Sequence, residues 1–235
     1  MGEVVHSGTS IGTVKLLAPF SPPPQPIHSE GGTERVRGLK PLDRSFYNRC
    51  TQIVAYELIG KILTFREGQS LLRGRIVETE AYLGKEDRAS HAYRGVTPRN
   101  RVMFGPPGFS YVYFTYGNHH CLNIVTELEG MPGAVLIRAA EPLTGISVMR
   151  KRRRQEATVQ LTNGPGKLTQ AFGITREHSG RDMTTEPLCV TEARDDKDID
   201  FSSVHIRAAT RIGIRHGKKL PFRFYLMGNP FVSAG

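Results

Sequence analysis

The run Gly74 Arg75 Ile76 Val77 Glu78 Thr79 Glu80 Ala81 Tyr82 Leu83 Gly84 sets two carboxylates and a phenol at every second position. Successive side chains of a β-strand point to opposite faces, so Glu78, Glu80 and Tyr82 share one surface. A carboxylate beside an aromatic ring suits a general base working on a substrate that stacks. The same run also fits an ordinary solvated strand face. Just downstream, Glu86, Asp87 and His91 join the two glutamates as a candidate divalent-cation set of nuclease type, although no metal-motif spacing connects them. Acidic residues in such a loop are more often simply solvated.

From Phe104 to Gly117 the chain places three tyrosines, Tyr111, Tyr113 and Tyr116, among three phenylalanines. That composition serves either a base-stacking platform or a strand packed into the core. Tyr116 before Gly117 reads as a turn tip, and a ring at an exposed tip can enter a nucleic-acid groove. His119, His120 and Cys121 suggest zinc, but adjacent residues diverge on regular structure and no second ligand pair follows at zinc spacing. Arg150 to Arg154 puts five cations at the end of a helix, where they suit the dipole, and serves as a solvated terminus or a phosphate-binding edge. Asn163 Gly164 Pro165 Gly166 Lys167 opens another helix and offers amides to a phosphate. It is not a Walker loop, since Leu161 stands where that motif needs glycine.

These residues need elements to hold them. Asp43 or Ser45 caps an expected helix that runs through Ile53, Val54, Tyr56 and Leu58 to Gly60. A hairpin follows, with strands at Lys61 to Phe65 and Leu71 to Ala81 turned by Gly68. Further strands are expected at Ser110 to Thr115, Leu122 to Thr126, Ala134 to Arg138, Leu188 to Thr191, Thr210 to Gly213 and Phe222 to Leu226. Helices fit Gly145 to Arg154 and Lys167 to Phe172. Strands outnumber helices without alternating with them, so the expected fold is α+β, a single domain around a curved, mostly antiparallel sheet with flanking helices. Residues 1–39, with five prolines between Pro19 and Pro26, read as a flexible leader, and residues 40–235 as the folded domain.

With 32 basic and 22 acidic residues the net charge is +10, which points to a polyanionic partner, nucleic acid before an anionic membrane surface. Three scattered cysteines are too few for a disulfide framework and favour a reducing compartment over secretion. The stretch Val102 to Thr126 lacks Asp, Glu, Lys and Arg, but its prolines, glycines and asparagines would leave backbone polar groups bare in lipid, so it does not read as a membrane span.

Taken together, the ordered motifs from about Leu39 to Ser233 resemble the alkyladenine (3-methyladenine) DNA glycosylases of the mammalian, AAG-like type. The resemblance rests on Gly74 to Tyr82, Thr97 Pro98 Arg99 Asn100, Tyr111 Val112 Tyr113, Leu136 Ile137 Arg138 Ala139, Asn163 to Leu168 and Arg223 Phe224 Tyr225. It implies a monofunctional hydrolase that flips alkylated or deaminated purines from duplex DNA and cuts the N-glycosidic bond to start base excision repair. By the same resemblance Glu80 is the general base and Arg138 helps hold the attacking water. Tyr82, His91 and Tyr113 enclose the base, Asn123 excludes guanine at the pocket floor, and Tyr116 fills the gap in the duplex. Arg99 and Lys167 are expected on the DNA backbone. Asn118 and His119 stand where better-known members carry larger apolar or aromatic residues, which makes the wedge less hydrophobic. No metal or cofactor is implied, and a monomer is expected, in the cytoplasm with the nucleoid if bacterial or the nucleus if eukaryotic. The alternative from another class is a non-catalytic nucleic-acid-binding module, for which basic patches and exposed rings suffice.

Overall fold

The computed structural model describes residues 40–115, 117, 119–193 and 205–234. The expected leader, residues 1–39, and the proposed wedge residue Tyr116 lie outside the described residues, as does Asn118. Among the described residues, no helix is long and apolar enough to cross a membrane.

Two short helices open the fold, α1 (Arg44–Tyr47) and α2 (Thr51–Glu57). One continuous helix was expected here. The break at Asn48 to Cys50 arises because a remote carboxylate caps α2: Glu127 Oε1 accepts from the Thr51 amide at 2.7 Å and from its hydroxyl at 2.8 Å. The first-turn donors of a helix lack intrahelical partners, so a new N-terminus is stabilised where Glu127 stands.

The hairpin β1 (Ile62–Glu67) and β2 (Ser70–Tyr82) follows, with Gly68 at φ 57° in the turn. Then come β3 (Ser110–Thr115), β4 (His119–Thr126) and β5 (Gly133–Thr144). Two helices, α3 (Ile146–Arg153) and α4 (Pro165–Phe172), precede β6 (Leu188–Thr191), β7 (Ile206–Ala209) and β8 (Arg223–Leu226). The strands form one antiparallel sheet in the order β3-β4-β5-β2-β1-β6, and β8 branches from β2 to pair with β7. The sheet curls into a half-barrel, and the fold is a single-domain α+β type.

Two expectations fail in detail. The strand expected at Thr210 to Gly213 lies earlier, at Ile206–Ala209, and residues 210–213 are irregular. β5 runs on past Arg138 to Thr144, because a register shift between Arg73 and Gly74 of β2 accommodates Pro142, which cannot donate to a ladder.

The larger core cluster packs against α2, and a smaller one, Ala92, Met103, Tyr111, Val125 and Ala134, is separate from it. Val77 and Ala81 of β2, with Val54, Ala55 and Leu58, belong to one buried cluster, and Thr79 Oγ1 donates to the Ala55 carbonyl at 2.7 Å. The odd-numbered residues of this part of β2 therefore face α2. The even-numbered ones are turned to the other face.

Candidate active site

Strand register assembles that other face. Tyr111 of β3 pairs with Asn123 of β4, Asn123 with Leu136 of β5, Leu136 with Glu80 of β2, and Glu80 with Arg223 of β8. Partners across a ladder point the same way, so a residue two positions along joins the same surface. Tyr113, Cys121 and Arg138 are such residues, and Tyr82 lies opposite Ala134. Together with Tyr82, Leu136 and Asn123 they line a cavity of about 560 Å³, a size typical of small-ligand sites.

Glu80 is fully buried and well supplied with donors. Its Oε2 accepts from the Tyr82 hydroxyl at 2.7 Å; its Oε1 accepts from the Ile212 amide at 2.7 Å and faces Arg138 Nη1 at 3.3 Å. A carboxylate offers about four acceptor positions, so one remains unfilled. Glu80 stands behind the cavity wall, bonded to three residues of the lining rather than being one of them. Burial, and after it the Glu80 charge, raises the Tyr82 hydroxyl well above the usual phenol range, which keeps it a donor. Glu78, two residues back, is equally buried and accepts from Arg138 Nε at 3.2 Å, Arg223 Nη1 at 3.0 Å and the Ser233 amide at 2.9 Å.

Three further rings complete the wall. His91 meets Tyr113 edge-on with centroids 4.6 Å apart, and its Nδ1 shares a hydrogen bond of 2.8 Å with the Tyr111 hydroxyl. His91 is exposed as a residue, but its ring packs against Tyr111 and Tyr113, and lost hydration there, with the Arg99 cation second, pushes its pKa down to about 4. Burial first, with smaller effects from Cys121 and Tyr111, also raises the Tyr113 hydroxyl, and burial pushes Tyr111 up to about 12. Asn123 donates its amide nitrogen to the Tyr111 carbonyl at 3.0 Å, which leaves its oxygen as the group available to a ligand.

Other sequence candidates sit apart from the cavity lining. Arg99 is exposed, with its guanidinium 5.2 Å from the Tyr113 ring centre. Lys167 Nζ donates to Asn163 Oδ1 at 2.9 Å, although Pro165 at the start of α4 does line the cavity. The nuclease-type metal set is dispersed among other partners: Asp87 is locked to Arg211 through bonds of 2.5 and 2.9 Å, and Glu78 to two arginines. Among the described residues, no group of three His, Cys, Asp or Glu is placed to hold a metal ion.

Some contributors escape sequence reasoning. Residues Ile212 to His216 line the cavity, and Arg211 behind them sits 4.7 Å from the Tyr82 ring centre while donating to the Ala81 carbonyl. Arg211 and Asp87 are 124 positions apart, so no local spacing marks them. The alternation of Ile212 and Ile214 was the one available signal, and it reads as strand rather than as cavity wall.

Residues 45–230 match the family described as Methylpurine-DNA glycosylase (MPG). A relative from Koribacter versatilis (strain Ellin345) is 46% identical over 198 residues, covering 83% of this chain and 94% of its own. One from Chlorobium luteolum (strain DSM 273 / BCRC 81028 / 2530) is 47% identical over 195 residues, 83% of this chain and 97% of its own. A third, from Carboxydothermus hydrogenoformans (strain ATCC BAA-161 / DSM 6008 / Z-2901), is 48% identical over 193 residues, 82% and 98%. All three carry the name "Putative 3-methyladenine DNA glycosylase".

Proposed function

The chain belongs to the methylpurine-DNA glycosylase family, and on that premise we propose that this hydrolase receives an alkylated or deaminated purine flipped out of duplex DNA and severs it from its sugar. Glu80 takes a proton from water, the water oxygen bonds to deoxyribose C1′, and the glycosidic electrons leave with the base. Arg138 steadies the water. Tyr82, His91 and Tyr113 enclose the base, and Asn123 faces its edge. Tyr116 fills the gap, and Arg99 and Lys167 meet the backbone. The protein acts as a monomer on damaged duplex, in the compartment that holds the chromosome and not at a membrane, and the reading assigns it no cofactor.

The observation that carries this reading is the buried Glu80, which does not itself line the cavity but is hydrogen-bonded or ion-paired to Tyr82, Ile212 and Arg138, which do. Extruding a base costs a few kcal/mol, and each stacking ring returns about 1–3 kcal/mol, so two or three rings offset it. Tyr82 and Tyr113 each already carry a guanidinium, from Arg211 and Arg99, and neither guanidinium lines the cavity. A ring so engaged attracts a second cation less strongly. The cage therefore suits neutral deaminated purines as well as cationic alkylated ones.

The test is incubation with duplex containing one hypoxanthine or one 3-methyladenine. Release of free base with an intact abasic strand, undiminished in excess EDTA, is expected. No release, with equal affinity for lesion and undamaged duplex, would instead establish a non-catalytic binding module.

A further inference from the structure

The last described residues of the chain reach back into this site. Arg138 spends its three arms on three partners: Nη1 on Glu80 at 3.3 Å, Nε on Glu78 at 3.2 Å and Nη2 on Ser233 Oγ at 3.2 Å. Ser233 closes the circle, because its amide donates to Glu78 Oε2 at 2.9 Å. Glu78 has no exposed surface, and Arg138 and Ser233 are 6% and 8% exposed, so all three interactions are sheltered from water. Neither Glu78 nor Ser233 lines the cavity, whereas Arg138 does. Ser233 also lies past the residues 45–230 that match the family.

We propose that Glu78 and Ser233 are positioning residues that hold Arg138 at the correct angle to Glu80, which makes the segment Phe231 to Ala234 part of the active site. The inference rests on the glycosylase reading above. A guanidinium is a rigid planar fork, so fixing two arms fixes the direction of the third. With Nε and Nη2 engaged, Arg138 offers Glu80 a single N–H rather than a bidentate grip, and the remaining acceptor position of Glu80 stays unfilled. Glu78 also supplies counter-charge to Arg138 and to Arg223, whose Nη1 lies 3.0 Å from it. Glu80 is thereby spared as their sole counter-ion. Removing the Ser233 hydroxyl leaves Nη2 buried without an acceptor, and the fork can satisfy it by swinging onto Glu80.

The experiment compares single-turnover release of hypoxanthine by wild type, Ser233→Ala, Ser233→Thr and Glu78→Gln, each saturated with duplex. Ser233→Ala is expected to release base about tenfold more slowly, with half-saturating DNA within about twofold of wild type and a melting temperature lowered by no more than a few degrees. Ser233→Thr keeps the hydroxyl and should restore most of the rate. Glu78→Gln keeps the shape and loses the charge, and a fall of about 100-fold is expected. Wild-type rates in both Ser233→Ala and Glu78→Gln overturn the positioning role and leave the proposed function standing. So does a slow, unstable Ser233→Ala that Ser233→Thr fails to rescue, since that pattern is structural. A wild type that releases no base sinks the function and this role with it.

Discussion

At the scale of single residues, the site rests on pairs made within one strand and on pairs made across the chain. Alternation places Glu78, Glu80 and Tyr82 on one face, and the Tyr82 to Glu80 hydrogen bond of 2.7 Å follows from that spacing. The clamp between Asp87 and Arg211 joins residues whose proximity only the folded sheet creates. His91 allows a prediction of sign. Its pKa in the folded chain, about 4, lies below the usual 6.5, so folding favours the neutral ring. The stabilisation is complete above pH 6.5 and is lost as pH falls toward 4. Thermal melts from pH 7.5 to 4.5 should therefore fall more steeply for wild type than for His91→Gln. Parallel slopes would show that His91 takes up its proton as readily in the native protein as in the unfolded one.

At the scale of elements, the strands that carry the cavity wall were visible because β-rich runs alternate and Gly68 marks the turn between β1 and β2. What hid the boundaries was long-range capping and the role of the segment after β7. Glu127 lies 76 positions from the α2 terminus it caps. Ile212 leaves strand pairing, and its amide donates to Glu80 instead. The capping clamp is also tightly packed. A Cβ at Gly133 would overlap Thr51 Oγ1 and come within 2.9 Å of Glu127 Cγ. Gly133→Ala should cost about 1–3 kcal/mol of stability, as overpacked sites do, and urea denaturation measures it. A midpoint equal to that of wild type would mean that the α2 terminus yields at no cost. Near the cavity, a Cβ at Gly166 would lie 2.8 Å from His119 Cγ, so this glycine lets the start of α4 approach the end of the β3-β4 hairpin.

At the scale of the whole molecule, the +10 net charge named the class of partner before any site was known. The fold class was legible for a similar reason, since the balance and order of strands and helices is a property of the entire chain. The cavity was not, because it exists only where four strands and the segment after β7 converge. If about five phosphates are neutralised on binding, the logarithm of the association constant should fall with the logarithm of salt at a slope of about −4.5. A titration by fluorescence anisotropy gives the slope, and a flat line would remove Arg99, Lys167 and the run Arg150 to Arg154 from the DNA footprint.

Glu80 bears the chemistry in this account, so the most direct measurement is single-turnover release of hypoxanthine by wild type and Glu80→Gln at saturating enzyme. The variant should bind lesion duplex within about threefold of wild type and release base at least about 100-fold more slowly, the usual contribution of a general base. Release by Glu80→Gln at the wild-type rate would contradict the account.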